Sequence, residues 1–169
     1  MKKVVLLVIV MVLGGVAANA QQFTKGTKTL SANVTGLDFG VTKIKDVDDS
    51  LINFGIMAKG SYFVIDNLAI TAGLGFDYEK FGDEKTNSFA FTVGGKYYIV
   101  NGLYGGLAYE GLKQKDVDMA SFGKIEVGYD IYISENVFFE PAVYFKKGFG
   151  DTAKDISQFG LSVGIGVNF

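Results

Sequence analysis

Histidine and cysteine are both missing from the 169 residues. Their absence removes His-assisted nucleophiles, thiol centres, disulfides and most soft-metal sites. What remains is carboxylate chemistry. Asp46, Asp48 and Asp49 cluster in the stretch KDVDD, Asp83 and Glu84 form a second acidic pair, and Asp116 and Asp118 a third. The hard oxygens of the KDVDD cluster suit a divalent cation, but the cluster lacks the ordered spacing of a calcium loop and reads as a solvated loop. Glu126 and Glu140 resemble an acid pair on neighbouring segments. No cleft or substrate platform accompanies them, and pairing with Lys124, Lys146 and Lys96 is the expectation instead.

The elements that must hold these groups are strands. Gln158–Phe169 reads QFGLSVGIGVNF, with Phe159, Leu161, Val163, Ile165, Val167 and Phe169 on one face and Gly160, Ser162, Gly164, Gly166 and Asn168 on the other. That is the period-2 signature of a strand between two different environments. Seven upstream stretches carry a similar pattern: Thr27–Val41, Leu51–Val64, Leu68–Glu79, Ser88–Ile99, Leu103–Leu112, Met119–Ile133 and Val137–Lys146. The first is the least regular, with a phase shift that a bulge near Gly36 would explain. Asp66-Asn67, Asn101-Gly102 and Ser134–Asn136 mark tight turns, and four longer charged stretches join the other strand ends. Pro141 lacks one ladder donor, so a local gap or bulge is expected around it.

Met1–Ala20 stands apart. Lys2 and Lys3 precede the apolar run Val4–Val12, and Ala18-Asn19-Ala20 is an A-x-A cleavage pattern. This reads as a secretory signal peptide, leaving 21–169 as one domain of about 149 residues. Without Lys2 and Lys3 the chain has 14 basic and 18 acidic residues, a net charge of about −4, and no basic face for nucleic acid.

The two faces of the predicted sheet differ in kind. Lys59, Asp77, Lys96, Glu110, Lys124, Glu126, Asp130, Glu140 and Lys146 all fall on the small-residue face, while Phe, Tyr, Leu, Ile and Val fill the other. An eight-stranded barrel is just wide enough for side chains to fill its interior. Small residues and paired charges fit such a lumen; a uniform bulky apolar set fits lipid. Four lysines against five acids imply mutual pairing within a structural network rather than a selective ring. The predicted fold is therefore all-β, an eight-stranded antiparallel up-and-down transmembrane β-barrel. Tyr62, Tyr97 and Tyr129 near one end, and Phe76, Tyr78, Phe89 and Tyr109 near the other, read as aromatic girdles.

With the signal peptide, the strands NLAITAGLGFDY and FFEPAVYF, and the terminal FGLSVGIGVNF, the chain resembles small eight-stranded outer-membrane proteins of the OmpX-like and OmpA-barrel-like superfamily. The resemblance covers the whole chain after the signal peptide and rests on the order and spacing of individually weak motifs. It implies a Gram-negative outer membrane, contact with outer-membrane lipids and lipopolysaccharide, and insertion by the barrel-assembly machinery with Phe169 as assembly signal. The expected role is non-enzymatic and structural or interactive, with no cofactor. Two alternatives stand beside it: a narrow channel for ions or small solutes, and a soluble periplasmic lipocalin-like carrier with the pattern inverted. The chain departs from the OmpA type in having no following periplasmic domain, and from the OmpX type in its short outside loops, which argue against a protruding sheet.

Overall fold

The computed structural model describes residues 23–35, 52–81, 84–114 and 118–169. The expected signal peptide, the Gly36 bulge and the acidic groups Asp46, Asp48, Asp49, Asp83 and Asp116 lie outside them.

Nine ladder segments follow one another: β1 (Lys28–Thr35), β2 (Ile52–Ile65), β3 (Leu68–Phe81), β4 (Glu84–Val100), β5 (Leu103–Gln114), β6 (Ala120–Tyr129), β7 (Ile131–Tyr132), β8 (Val137–Phe149) and β9 (Ser157–Asn168). Each pairs antiparallel with its neighbours, β9 returns to β1, and β6 and β7 are two parts of one strand along β8. The result is a closed eight-stranded antiparallel up-and-down barrel. The closing seam runs from Thr29 opposite Asn168 to Thr35 opposite Ser162.

The break between β6 and β7 corrects the expectation of one continuous strand over Met119–Ile133. Gly128 faces Ala142 and Ile131 faces Phe139, so the register is the same on both sides of the break. In that register Tyr129 and Asp130 stand opposite Pro141 and Glu140. Pro141 has no N–H to give, and the rungs lapse there without any slip of register. Asp130 N–H donates to Gly102 O on the other side at 3.0 Å.

A second correction concerns the charged stretch Lys80–Asn87, expected to be loop. The β3–β4 ladder continues through Tyr78–Asn87, Glu79–Thr86, Lys80–Lys85 and Phe81–Glu84. At about 3.4 Å per residue, these four rungs extend the hairpin roughly 14 Å past Asp77–Ser88. β5 and β8 likewise run beyond their expected ends, to Gln114 and Phe149. The tight turns lie where expected: Asn67, Asn101 and Gly102 have φ of 64°, 44° and 92°. Two successive positive φ values at Asn101-Gly102 are what a type I′ hairpin turn requires.

Burial follows the period-2 pattern with inverted polarity. Ile56, Ile70, Leu74, Phe76, Val93, Leu107, Ile125, Val127 and Ile165 are all more than half exposed on the outer wall. All nine charged positions of the small-residue face are buried inside. Glycines make room for the larger inward groups. A Cβ at Gly128 would meet the Tyr104 ring, at Gly160 that of Tyr144, at Gly166 that of Phe138, and at Gly164 the Asn33 amide. Large and small inner positions thus interlock across neighbouring strands.

Candidate functional site

The described residues hold their buried polar chemistry in the barrel lumen, in three tiers from the tight-turn end to the long-loop end.

The tier nearest the tight turns is aromatic. Phe23, which precedes β1, turns its ring into the barrel mouth and stacks on Tyr98 with ring centroids 4.3 Å apart and an interplanar angle of 23°. Phe63 and Tyr132 flank it at 6.0 and 6.1 Å. Ala69, Tyr104 and Ala142 complete the cluster, and Phe23 itself is buried. The segment is tied down by Asn67 N–H donating to Phe23 O at 2.7 Å, Gly26 N–H to Phe63 O at 2.9 Å, and Lys25 N–H to Asp66 Oδ1 at 2.8 Å. Nothing in the alternation marks Phe23, which lies in what reads as a polar lead, Gln21–Gly26. Tyr98 Oη donates to Asp130 Oδ2 at 2.9 Å, and Asn168 Nδ2 donates to Tyr132 Oη at 2.7 Å. Tyr104 Oη, Asp130 Oδ1 and Asn168 Oδ1 are buried without a hydrogen-bond partner among the described residues.

The middle tier centres on Glu140 of β8. Its Oε1 accepts from Lys59 Nζ at 3.1 Å and Asn33 Nδ2 at 3.0 Å, and its Oε2 accepts from Lys96 Nζ. Lys59 and Lys96 come from β2 and β4 on the opposite wall, so one carboxylate ties three walls across the lumen. Ser31 Oγ orients Asn33 by donating to its Oδ1 at 2.9 Å. Lys96 Nζ also sits 4.1 Å from the centroid of the Tyr104 ring, within cation–π range. Asn33 carries no charge, and the alternation alone gives it no role.

The third tier lies towards the long loops. Lys124 and Lys146 face each other across the β6–β8 ladder. Like charges directly opposite repel, and each lysine has its own acid: Lys124–Glu126 at 2.7 Å and Lys146–Glu110 at 2.7 Å. Lys146 therefore pairs with Glu110 rather than with Glu126 or Glu140, which corrects the expected assignment. Their ammonium groups also approach rings, Lys124 that of Tyr144 and Lys146 that of Phe122, each at 5.3 Å. Asp77 is buried beside Gly55 and Thr35. Beyond this tier the chain at Gly150–Ile156 folds back, burying Ala153 against Gly148.

Of the ten residues singled out from the sequence, nine share this lumen, and Phe169 lies on the outer wall at the seam, exchanging backbone hydrogen bonds with Lys28 at 2.9 and 3.0 Å. Asp118 is exposed. Among the described residues no group of three or more carboxylates is placed to hold a metal ion. Such an interior can lock walls together and exclude water. A lipocalin-like carrier needs the opposite arrangement, an apolar lumen and a polar outer wall.

A closed antiparallel barrel with its charges inside and an apolar outer wall is the architecture of small outer-membrane proteins. Solved structures agree. OprG of Pseudomonas aeruginosa superposes with a TM-score of 0.60 at 13% identity, covering 89% of this chain and 99% of that one. Ail, the attachment invasion locus protein of Yersinia pestis, gives 0.56 at 13% identity, covering 86% and 100%. Neisserial surface protein A gives 0.54 at 12% identity, covering 85% and 96%. At these identities the likeness establishes the fold. No protein-family model and no curated protein matches the chain.

Proposed function

We propose that this chain is a non-enzymatic integral outer-membrane barrel of a Gram-negative envelope, with a structural or interaction role and a lumen closed to solutes. The observation that carries this is the inverted polarity: a band of exposed Leu, Ile, Val and Phe outside, and Glu140 with its lysines inside. Transferring the apolar band from water into lipid is favourable at roughly 25 cal/mol per Å². Seven of the nine buried charges are tolerable because they are ion-paired, and Asp130 is held through one oxygen by the Tyr98 hydroxyl.

In this reading Met1–Ala20 is removed on export and residues 21–169 form the barrel. The nine lumen charges act structurally, fixing register and filling the cross-section. Phe169, exposed beside the seam, serves as an assembly signal for the barrel-assembly machinery. Outward lysines at the long-loop end, such as Lys147, contact lipid phosphates, including those of lipopolysaccharide.

Refolding the chain without residues 1–20 into phospholipid vesicles tests both parts. A folded species that resists denaturation in cold sample buffer and shifts on heating is expected, as is the absence of stepwise conductance in planar bilayers. A monodisperse, detergent-free soluble protein overturns the membrane reading. Reproducible unitary steps from folded protein overturn the closed lumen and favour the narrow channel.

A further inference from the structure

The aromatic tier has a feature that a simple lumen filling lacks: one of its rings does not belong to the wall. Phe63, Tyr98, Tyr104 and Phe138 sit on strands and cannot leave without breaking ladders. Phe23 enters from a segment outside the sheet. Its seat depends on the hydrogen bonds at Phe23 O, Lys25 and Gly26 and on stacking. Withdrawing it leaves β1 and its pairing from Lys28 onwards intact.

What it would uncover has the make-up of a small-ligand site. The walls are the rings of Phe63, Tyr98 and Tyr132 with Ala69 behind them. The same end of the lumen contains two buried polar atoms that lack partners among the described residues, the acceptor Asp130 Oδ1 and the hydroxyl of Tyr104. Tyr98 links the two features, since its ring stacks on Phe23 while its hydroxyl holds the other oxygen of Asp130. An unpaired buried acceptor is costly and gains most from a donor brought to it.

We propose that the tight-turn mouth of the barrel is a binding site for a small aromatic molecule carrying one hydrogen-bond donor, kept shut by Phe23, whose ring occupies it as an intramolecular ligand. The proposal goes beyond the closed barrel: it makes the closure at this end reversible. The middle tier of Lys59, Lys96 and Glu140 stays in place beneath it, so opening yields a dead-end vestibule rather than a pore.

The test exploits a chain without cysteine or tryptophan. Ala69 is fully buried in the cluster with Phe23. In Ala69→Cys barrels in lipid vesicles, the introduced thiol should react slowly with a small cationic thiosulfonate. In Ala69→Cys/Phe23→Ala it should react faster by on the order of tenfold or more, because reaction follows the open population. Indole is the probe ligand: flat, with one N–H donor, and the only indole fluorophore in the sample. Phe23→Ala barrels should show a saturable emission shift above the lipid partitioning measured with wild-type barrels, and indole should slow the labelling at position 69. Should Phe23→Ala fail to fold, Phe23→Leu keeps the apolar bulk but cannot stack, and the same increase in labelling, smaller in size, is expected. Equal labelling with and without Phe23 overturns the door. Faster labelling with no saturable indole signal and no protection overturns the site. Neither result bears on the membrane reading, which the heat-shift assay decides separately.

Discussion

Glu140 is the residue on which the middle tier depends, and Glu140→Gln removes its charge while keeping its shape. In the native lumen this one carboxylate serves two lysines, Lys59 at 3.1 Å and Lys96, and all three side chains are almost fully shielded from solvent, with exposures of 8%, 5% and 2% for Lys59, Lys96 and Glu140. Breaking a buried pair by removing one partner costs about 3–5 kcal/mol, because the other charge is stranded. Two ammonium groups are stranded here, but the amide oxygen of glutamine still accepts one hydrogen bond and the carboxylate of Glu126 lies elsewhere in the same lumen. The expected loss is therefore about 3–5 kcal/mol and not double that figure. The assay is urea unfolding of vesicle-inserted barrel, followed by the gel shift between folded and unfolded forms. Two further variants separate charge from packing. Lys96→Met alone leaves Glu140 with Lys59 and Asn33 and should cost less than Glu140→Gln. Lys59→Met, Lys96→Met and Glu140→Leu together replace the tier by apolar groups and should recover most of the stability, since such replacements are often neutral or favourable. A loss below about 1 kcal/mol for Glu140→Gln, in the range of exposed pairs, would refute the claim that the tier is a desolvated network.

Other perturbations read other parts of the structure. Val93→Arg places a charge on the outer wall near mid-ladder, where it faces Ala72 and Tyr109. It should cost about 2–4 kcal/mol in vesicles, and a neutral outcome in the urea assay would mean that this face does not meet lipid. Gly102→Ala forces an L side chain to φ 92° and brings its Cβ to 2.5 Å from Asp130 O. A loss of about 1–3 kcal/mol is expected by the same measurement. Pro141→Ala restores a ladder donor opposite Tyr129, and a protected amide at position 141 should appear in hydrogen exchange; an amide that exchanges freely would assign the break between β6 and β7 to another cause.

The wall of the barrel was legible because its signal is local. In β9 every second residue from Phe159 to Phe169 is apolar, and the alternates are Gly, Ser or Asn. The pleat turns that pattern directly into two faces. Where the chemistry depends on partners across the lumen, alternation is silent. It places Lys146 and Glu110 on the inner face but says nothing of their meeting, because β5 and β8 are separated by β6 and come together only through the curvature of the closed sheet. The stretch Lys80–Asn87 reads as loop because charge interrupts the apolar rhythm there, whereas backbone pairing does not need that rhythm. Phe23 carries no sequence signal for a related reason: one ring in a polar lead has no period, and its place follows only from the mouth it fills. The gap at Asp130 lay halfway between. Pro141 announced that a donor was missing, but the register was needed to show which partner strand would lose the rung.

The membrane reading requires the apolar face of these strands to meet lipid and the charged face to be shielded from it. Ile165 lies on the outer wall of β9, 55% exposed, and the chain contains no tryptophan, so Ile165→Trp introduces a single reporter. In vesicles of lipids brominated on the acyl chains, its emission should be blue-shifted and strongly quenched relative to non-brominated vesicles. Emission that is red-shifted and indifferent to bromine, from protein shown to be folded by the gel shift, would contradict the account.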